Sequence, residues 1–250
     1  GLYEAAIASA GRAIELAPDL ADAHSTLGFT LFQGQLDAKA ARVPFERSAT
    51  TGAGEATVMA RYAQYCARVG RDRAATTAMQ RAVLLDPLNP LIHRAAASVE
   101  YAARRYAESL PPLRQALAMN PKMSRSHASM GDALLMLGRL AEARTEYLAE
   151  PAAYFRLAGL AIVEHRLGKT VEAQAAMAQL LAERGEQALY QQGQVYAQWT
   201  EHDTAIERLE QARVVGDSGL IYARNDPFLD PLRGDPRLAR ILQSIGFDQA

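Results

Sequence analysis

The sequence predicts an all-α protein, a right-handed α-solenoid of stacked helix-turn-helix units that ends in a C-terminal capping helix. Three observations carry this prediction. The stretches QRAVLLDPLNP (80–90) and QALAMNPKM (115–123) place Pro87 and Pro121 34 residues apart, and the pairs Ala82/Ala116 and Met79/Leu113 keep the same spacing. Small residues recur at fixed places, which lets paired helices approach closely. After Asp235-Pro236, residues Leu238, Ile241, Leu242 and Ile245 fall at i, i+3, i+4 and i+7, one apolar stripe of a short helix.

The units follow in order. Residues 1–18 read as the second helix of a truncated unit, with Ala6, Ala13 and Pro18 in register. Residues 19–219 read as about six units, starting near 21, 56, 90, 124, 154 and 186. Turns carry Gly34, Gly70, Gly138 and Gly168, which tolerate a positive φ at helix ends. Asp86-Pro87 and Asn120-Pro121 end second helices, because the residue before proline avoids the α region. Two joints are irregular. Residues 41–56 put Pro44 in a second helix, and 147–155 shorten the period by about four residues. Residues 220–250 form the C-terminal cap. Asp235 is its N-cap, Pro236 its first helical residue and Gly246 its stop, with Phe228, Leu229 and Leu232 anchoring the turn before it.

The recurring residues resemble tetratricopeptide repeats. In 124–150 the match includes Met130-Gly131, Leu134, Gly138, Ala143 and Tyr147; in 186–212 it includes Leu189, Gly193, Tyr196, Ala205 and Ala212. The ending DPFLDPLRGDPRLARIL is similar to the tail that closes such repeats in bacterial multidomain signalling proteins. That resemblance implies a regulatory or sensor region, the C-terminal part of something larger.

Composition narrows the function classes. The formal net charge is −1, so no global field drives binding to nucleic acid or anionic lipid. A single cysteine, Cys66, excludes an intrachain disulfide framework. No apolar run reaches the ~18 residues of a membrane span. The N-terminus lacks signal-peptide order, and a cytoplasmic location is expected.

Catalytic motifs find no support, and neither enzyme activity, a cofactor nor a metal site is expected. GDSG (216–219) lacks a base within reach and reads as a turn. LGKT (167–170) lacks the glycine that a phosphate loop needs five residues earlier, where Val163 stands. His24, His93 and His127 share one register in their units, which argues for packing. Cys66 reads as a small buried hydrophobe.

The family resemblance implies that first helices line a concave groove. It places there Phe29 and Phe32, then Gln64, then Arg94, Ser98 and Tyr101. Arg125, Asp132 and Leu135 follow, then Phe155, Ile162 and His165, and finally Tyr190 and Gln194. Aromatics beside arginine are enriched at protein-binding hot spots. The expected partner is a protein or peptide bound across Phe29, Phe32, Arg94, Tyr101, Arg125, Phe155, His165 and Tyr190, with Arg94 and Arg125 pairing an acidic group. The clamp of chaperone-binding members is missing, since Ala60, Gln64, Leu91 and Ala95 stand at its places. The alternative is a homo-oligomer paired through the lone helix at 3–17.

Overall fold

The computed structural model describes residues 2–247. Among these, all regular structure is helical. A lone helix, α1 (Leu2–Leu16), precedes pairs joined by short turns. The pairs are α2 (Ala21–Phe29) with α3 (Arg42–Thr51), α4 (Ala56–Arg68) with α5 (Asp72–Leu85), and α6 (Pro90–Ala102) with α7 (Tyr106–Met119). Then come α8 (Ser126–Met136) with α9 (Leu140–Ala149), α10 (Ala153–Arg166) with α11 (Thr170–Arg184), and α12 (Leu189–Gln198) with α13 (His202–Val215). Helices α2, α4, α6, α8, α10 and α12 touch one another in sequence and form the inner row.

Close helix approach rests on small residues. Ala63, Ala82, Ala116, Ala133, Ala161 and Ala205 are fully buried between helices. Tyr147, also fully buried, lies against Gly131 and Gly159, where a Cβ would overlap its ring. The ring therefore fills the space that two glycines leave, and its hydroxyl donates to Asp132 Oδ1 at 2.7 Å.

Turn geometry follows the expected glycines with one exception. Gly70, Gly138 and Gly168 take φ of +78°, +75° and +76°. Arg104 and Thr200 hold left-handed positions in the corresponding turns of their pairs, at φ +61° and +64°. Gly34 does not. The chain passes through a π-helical turn at Thr30–Gly34, which moves the left-handed residue to Leu36 at φ +53°. Gly34 is small for another reason: the ring of Tyr3 lies where its side chain would be.

The three histidines do more than pack. The Nε2 atoms of His24 and His93 lie 2.8 and 2.7 Å from the carbonyl oxygens of Pro18 and Pro87, and that of His127 lies 3.3 Å from Pro121 O. Each ring donates to the carbonyl six residues earlier and ties a first helix to the turn before it. Pro44 sits at the third residue of α3, in its first turn, where no intrahelical bond is lost. At the 147–155 joint, the buried Glu150 carboxylate accepts from the backbone N–H groups of Arg125, Ala128 and Ala152 at 2.9, 3.0 and 2.9 Å. One side chain thus satisfies orphan donors at the starts of both α8 and α10.

The C-terminal segment goes further than a cap on the last pair. After α13 the chain runs through 3₁₀ turns at Ser218–Tyr222 and Pro227–Leu232 into α14 (Pro236–Ser244). Asp217, Asp226 and Asp235 each cap the turn that follows, accepting from the N–H two residues on. Asp230 points elsewhere: both its oxygens accept from Arg104 at 2.6 Å, across 126 residues of sequence. Helix α14 packs on α13, where Arg237 pairs with Asp203 at 2.7 Å. Beyond it, Ile245 O accepts from Ala38 N at 3.0 Å, and Phe247 meets Phe32 edge-on with centroids 6.3 Å apart. A single buried apolar cluster therefore joins the chain from Phe32 through α6 to α12, α13 and the tail. A second cluster fills the middle pairs. The tail closes the superhelix end to end.

The Tyr147 seat is testable by urea unfolding. Gly159→Ala should destabilise the chain by about 1–3 kcal/mol through overpacking. Gly234→Ala, with open space around it, should stay within about 0.5 kcal/mol.

Candidate functional site

The inner row and the returning tail enclose a cavity of about 300 Å³. Its wall takes Gln64 and Arg68 from α4, Arg94, Ser98 and Tyr101 from α6, and Asp132 from α8. Arg125 reaches it from the residue before α8, Tyr154, Phe155 and Ile162 from α10, and Tyr190 and Gln194 from α12. The tail supplies Tyr222, Asp226 and Phe228.

The site centres on Tyr222. The guanidinium carbons of Arg68 and Arg125 each lie 4.2 Å from its ring centroid. Arg125 Nη1 also donates to its hydroxyl at 2.8 Å. Burial alone would raise the Tyr222 hydroxyl above its ordinary range, but the charges of Arg125, Arg68 and Arg94 outweigh it and pull it down. Arg125 leaves the helical region, at φ +70°, and is held there by the Glu150 carboxylate on its N–H. Its ring partner on the other side of the contact is Phe155, 4.9 Å from the guanidinium.

Arg68 and Arg94 face a costlier environment. Burial lowers the pKa of each, and the nearby charge of Arg125 lowers it further. Arg68 Nη2 donates to Ser98 Oγ at 2.5 Å. Arg94 Nε is buried and has no partner, as is the hydroxyl of Tyr101. The acids in the wall are already engaged. Asp226 accepts from Tyr190 Oη at 2.5 Å, Gln194 Nε2 at 2.6 Å and its own cap N–H at 2.9 Å. Asp132 accepts from Tyr147, and burial pushes its carboxyl up to about 7.

The cavity gathers Arg94, Tyr101, Arg125, Phe155 and Tyr190 from the residues expected in the groove. It does not gather Phe29, Phe32 or His165. Phe32 is buried core, edge-on to Tyr65 at 5.3 Å. Phe29 lies outside the cavity, at 5.5 Å from the Arg61 guanidinium. His165 is exposed and sits beside the Trp199 ring, centroids 5.6 Å apart. Tyr190 is 2% exposed and spends its hydroxyl on Asp226, so it props the wall instead of standing free. The groove is not an open trough, because the tail lies in it. Sequence reading missed Arg68, although it stands one helical turn after Gln64. It also missed Tyr222, which had no local signal in a segment read only as a cap. Among the described residues, no group of three or more His, Cys, Asp or Glu could hold a metal ion, and no helix is long and apolar enough to cross a membrane. Cys66 is fully buried, and burial pushes its thiol up.

The Asp132 carboxyl makes a sign-definite prediction. Its folded pKa lies above its unfolded one, so the folded state binds the extra proton, and stability falls as pH rises from about 4 to about 7. Asp132→Asn keeps an acceptor for Tyr147 and cannot ionise. It should match the parent near pH 4 and exceed it at pH 8, by up to about 4 kcal/mol, in urea unfolding.

The tetratricopeptide repeat family model matches residues 63–122 and 94–154. No curated protein matches the chain. Among solved structures, a tetratricopeptide repeat protein from Parabacteroides merdae is similar, at 15% identity over 97% of this chain and 92% of that one, with a TM-score of 0.64. PilF of Pseudomonas aeruginosa is similar at 18% identity over 81% of this chain and 94% of that one, TM-score 0.55. Human IFIT1, solved as a dimer with PPP-AAAA, is similar at 15% identity over 97% of this chain and 60% of that one, TM-score 0.65. Residues 63–154 are thus tetratricopeptide repeats by sequence, and the described chain as a whole has the fold of a tetratricopeptide-repeat solenoid.

Proposed function

We propose that this solenoid is a protein-interaction scaffold that takes an extended, acidic peptide segment at its inner cavity. Arg94 and Arg125 receive the acidic group, and Phe155 offers an apolar contact. The observation that carries this reading is the tail itself. The inner face already holds a returning segment of chain, wound in 3₁₀ turns, through bonds between side chains and backbone, Asn225 Nδ2 of the tail to Ala67 O at 3.2 Å and Gln198 Nε2 of α12 to Phe228 O at 2.7 Å. A partner segment would enter the space beside it. The similarity of the tail to those of bacterial signalling proteins supports a regulatory or sensor region within a larger protein.

A second reading, self-association, is favoured by α1. That helix buries only Ala10 and exposes Leu2 and Leu16. A mass by light scattering that does not change with concentration would oppose it. Likeness of fold to IFIT1 carries no argument for nucleic acid here, and the net charge of −1 offers no field for it.

Tyr190 is a poor choice for a test, since its hydroxyl is spent on Asp226. Fluorescence anisotropy with labelled acidic and basic peptides, comparing the parent with an Arg94→Ala/Phe155→Ala variant, separates binding from folding. Acidic peptides should bind the parent, and the variant should lose at least about tenfold with its helicity intact. Equal binding to parent and variant would remove the cavity from the account.

A further inference from the structure

Three successive inner elements each deliver one guanidinium to the cavity: Arg68 from the end of α4, Arg94 from α6, and Arg125 from the residue before α8. Among the described residues, none of the three has a carboxylate partner. Arg68 donates to a serine hydroxyl, Arg125 to a tyrosine hydroxyl, and Arg94 Nε to nothing. The carboxylates in the wall, Asp132, Asp217 and Asp226, take their hydrogen bonds from other groups and form no ion pair with the three. Asp226 is held by Tyr190, Gln194 and its own cap, and Asp217 by the N–H groups of Tyr190 and Gly219. Asp132 accepts from Tyr147, and burial raises its carboxyl above the ordinary range. The three guanidiniums therefore face one cavity without a directly paired anion, and gathering like charges in this way is costly unless an anion pairs them.

The number of guanidiniums selects the anion. A single carboxylate brings one charge and two acceptor oxygens, which one planar fork satisfies. A phosphoryl group brings about two charges and three acceptor oxygens, the complement of an arginine cluster. The buried Tyr101 hydroxyl, also without a partner, is a further donor in the same wall. A cavity of about 300 Å³ lies at the small end of ligand pockets, large enough for a compact metabolite or one phosphorylated side chain and too small for a folded domain.

We propose that Arg68, Arg94 and Arg125 form a phosphoryl-binding pocket, whose phosphoryl group is carried by a small organic phosphate or by a phosphorylated side chain of the inserted peptide. The inference rests on the reading of the inner cavity as the binding site. Tyr222 gives it a second consequence. The ring that stacks on Arg68 and Arg125 belongs to the tail, so the pocket is complete only when the superhelix is closed.

The test is titration calorimetry on the full chain. The probes are inorganic phosphate, ribose 5-phosphate, succinate, and an acidic peptide with phosphoserine beside its unphosphorylated twin. Each is run with the parent, Arg94→Gln and Arg94→Lys, since no internal side-chain bond of Arg94 is lost on substitution. Phosphate-bearing probes should bind the parent and succinate should not. Arg94→Gln should weaken them at least about tenfold, and Arg94→Lys should recover part of the loss. Ribose 5-phosphate binding as tightly as the phosphopeptide identifies a small metabolite. A phosphopeptide bound far more tightly identifies a phosphorylated partner. If both peptides bind equally and phosphate alone does not, the phosphoryl pocket is wrong while the peptide reading stands. If the small phosphates bind and no peptide does, the pocket stands and the peptide reading falls. No phosphate binding, or binding unchanged in Arg94→Gln with normal helicity, overturns the inference.

Discussion

The contact of the Tyr222 ring with the guanidiniums of Arg68 and Arg125 is the joint on which the closed form of the molecule depends. A solenoid of paired helices has only neighbour contacts, so its two ends are ordinarily independent of each other. Here a segment from the far end returns along the inner row, and Tyr222 is where it meets Arg68 of the second pair and Arg125 at the start of the fourth. Around that joint the return is secured by Arg104 with Asp230, by Asn225 on Ala67, and by Phe247 on Phe32. The same joint makes the cavity. Without the tail the arginines of the inner row would face open water; with it they line an enclosed wall, where their charge is worth far more.

The repeats beneath supply rigidity by local means. Tyr147 wedged against Gly131 and Gly159 fixes one pair against the next. Each of His24, His93 and His127 ties a first helix to the carbonyl of the preceding turn. Glu150 holds Arg125 in a left-handed conformation and aims it at the cavity. A residue kept in a left-handed backbone region, beside a partly buried cluster of cations, is what a binding site looks like when the fold around it over-determines the geometry.

The solenoid was legible in the sequence because its signal is periodic. The 34-residue spacing of Pro87 and Pro121 and the small residues between helices need only local physics to interpret. The capping chemistry of Asp235-Pro236 was legible for the same reason. Five of the eight residues expected in the groove, Arg94, Tyr101, Arg125, Phe155 and Tyr190, line one cavity. What was not legible is long-range. Phe29, Phe32 and His165 share the inner-helix register with the others, and nothing local shows that Phe32 meets Phe247. Tyr222 and Arg68 are 154 positions apart, and no periodicity links them. The displaced turn at Leu36 is a similar case, since it follows from the π-helical turn at Thr30–Gly34, which has no periodic signal.

Amide hydrogen exchange of the full chain, read peptide by peptide by mass spectrometry, tests the closed form most directly. If the tail is part of the fold, amides of 220–247 such as Leu220, Ala223 and Leu229, all bonded within buried turns, should exchange as slowly as those of α4 and α12 and lose protection in the same denaturant range. If residues 217–247 exchange within seconds while the repeats stay protected, the tail is an independent arm, and both the closed superhelix and the cavity it encloses are contradicted.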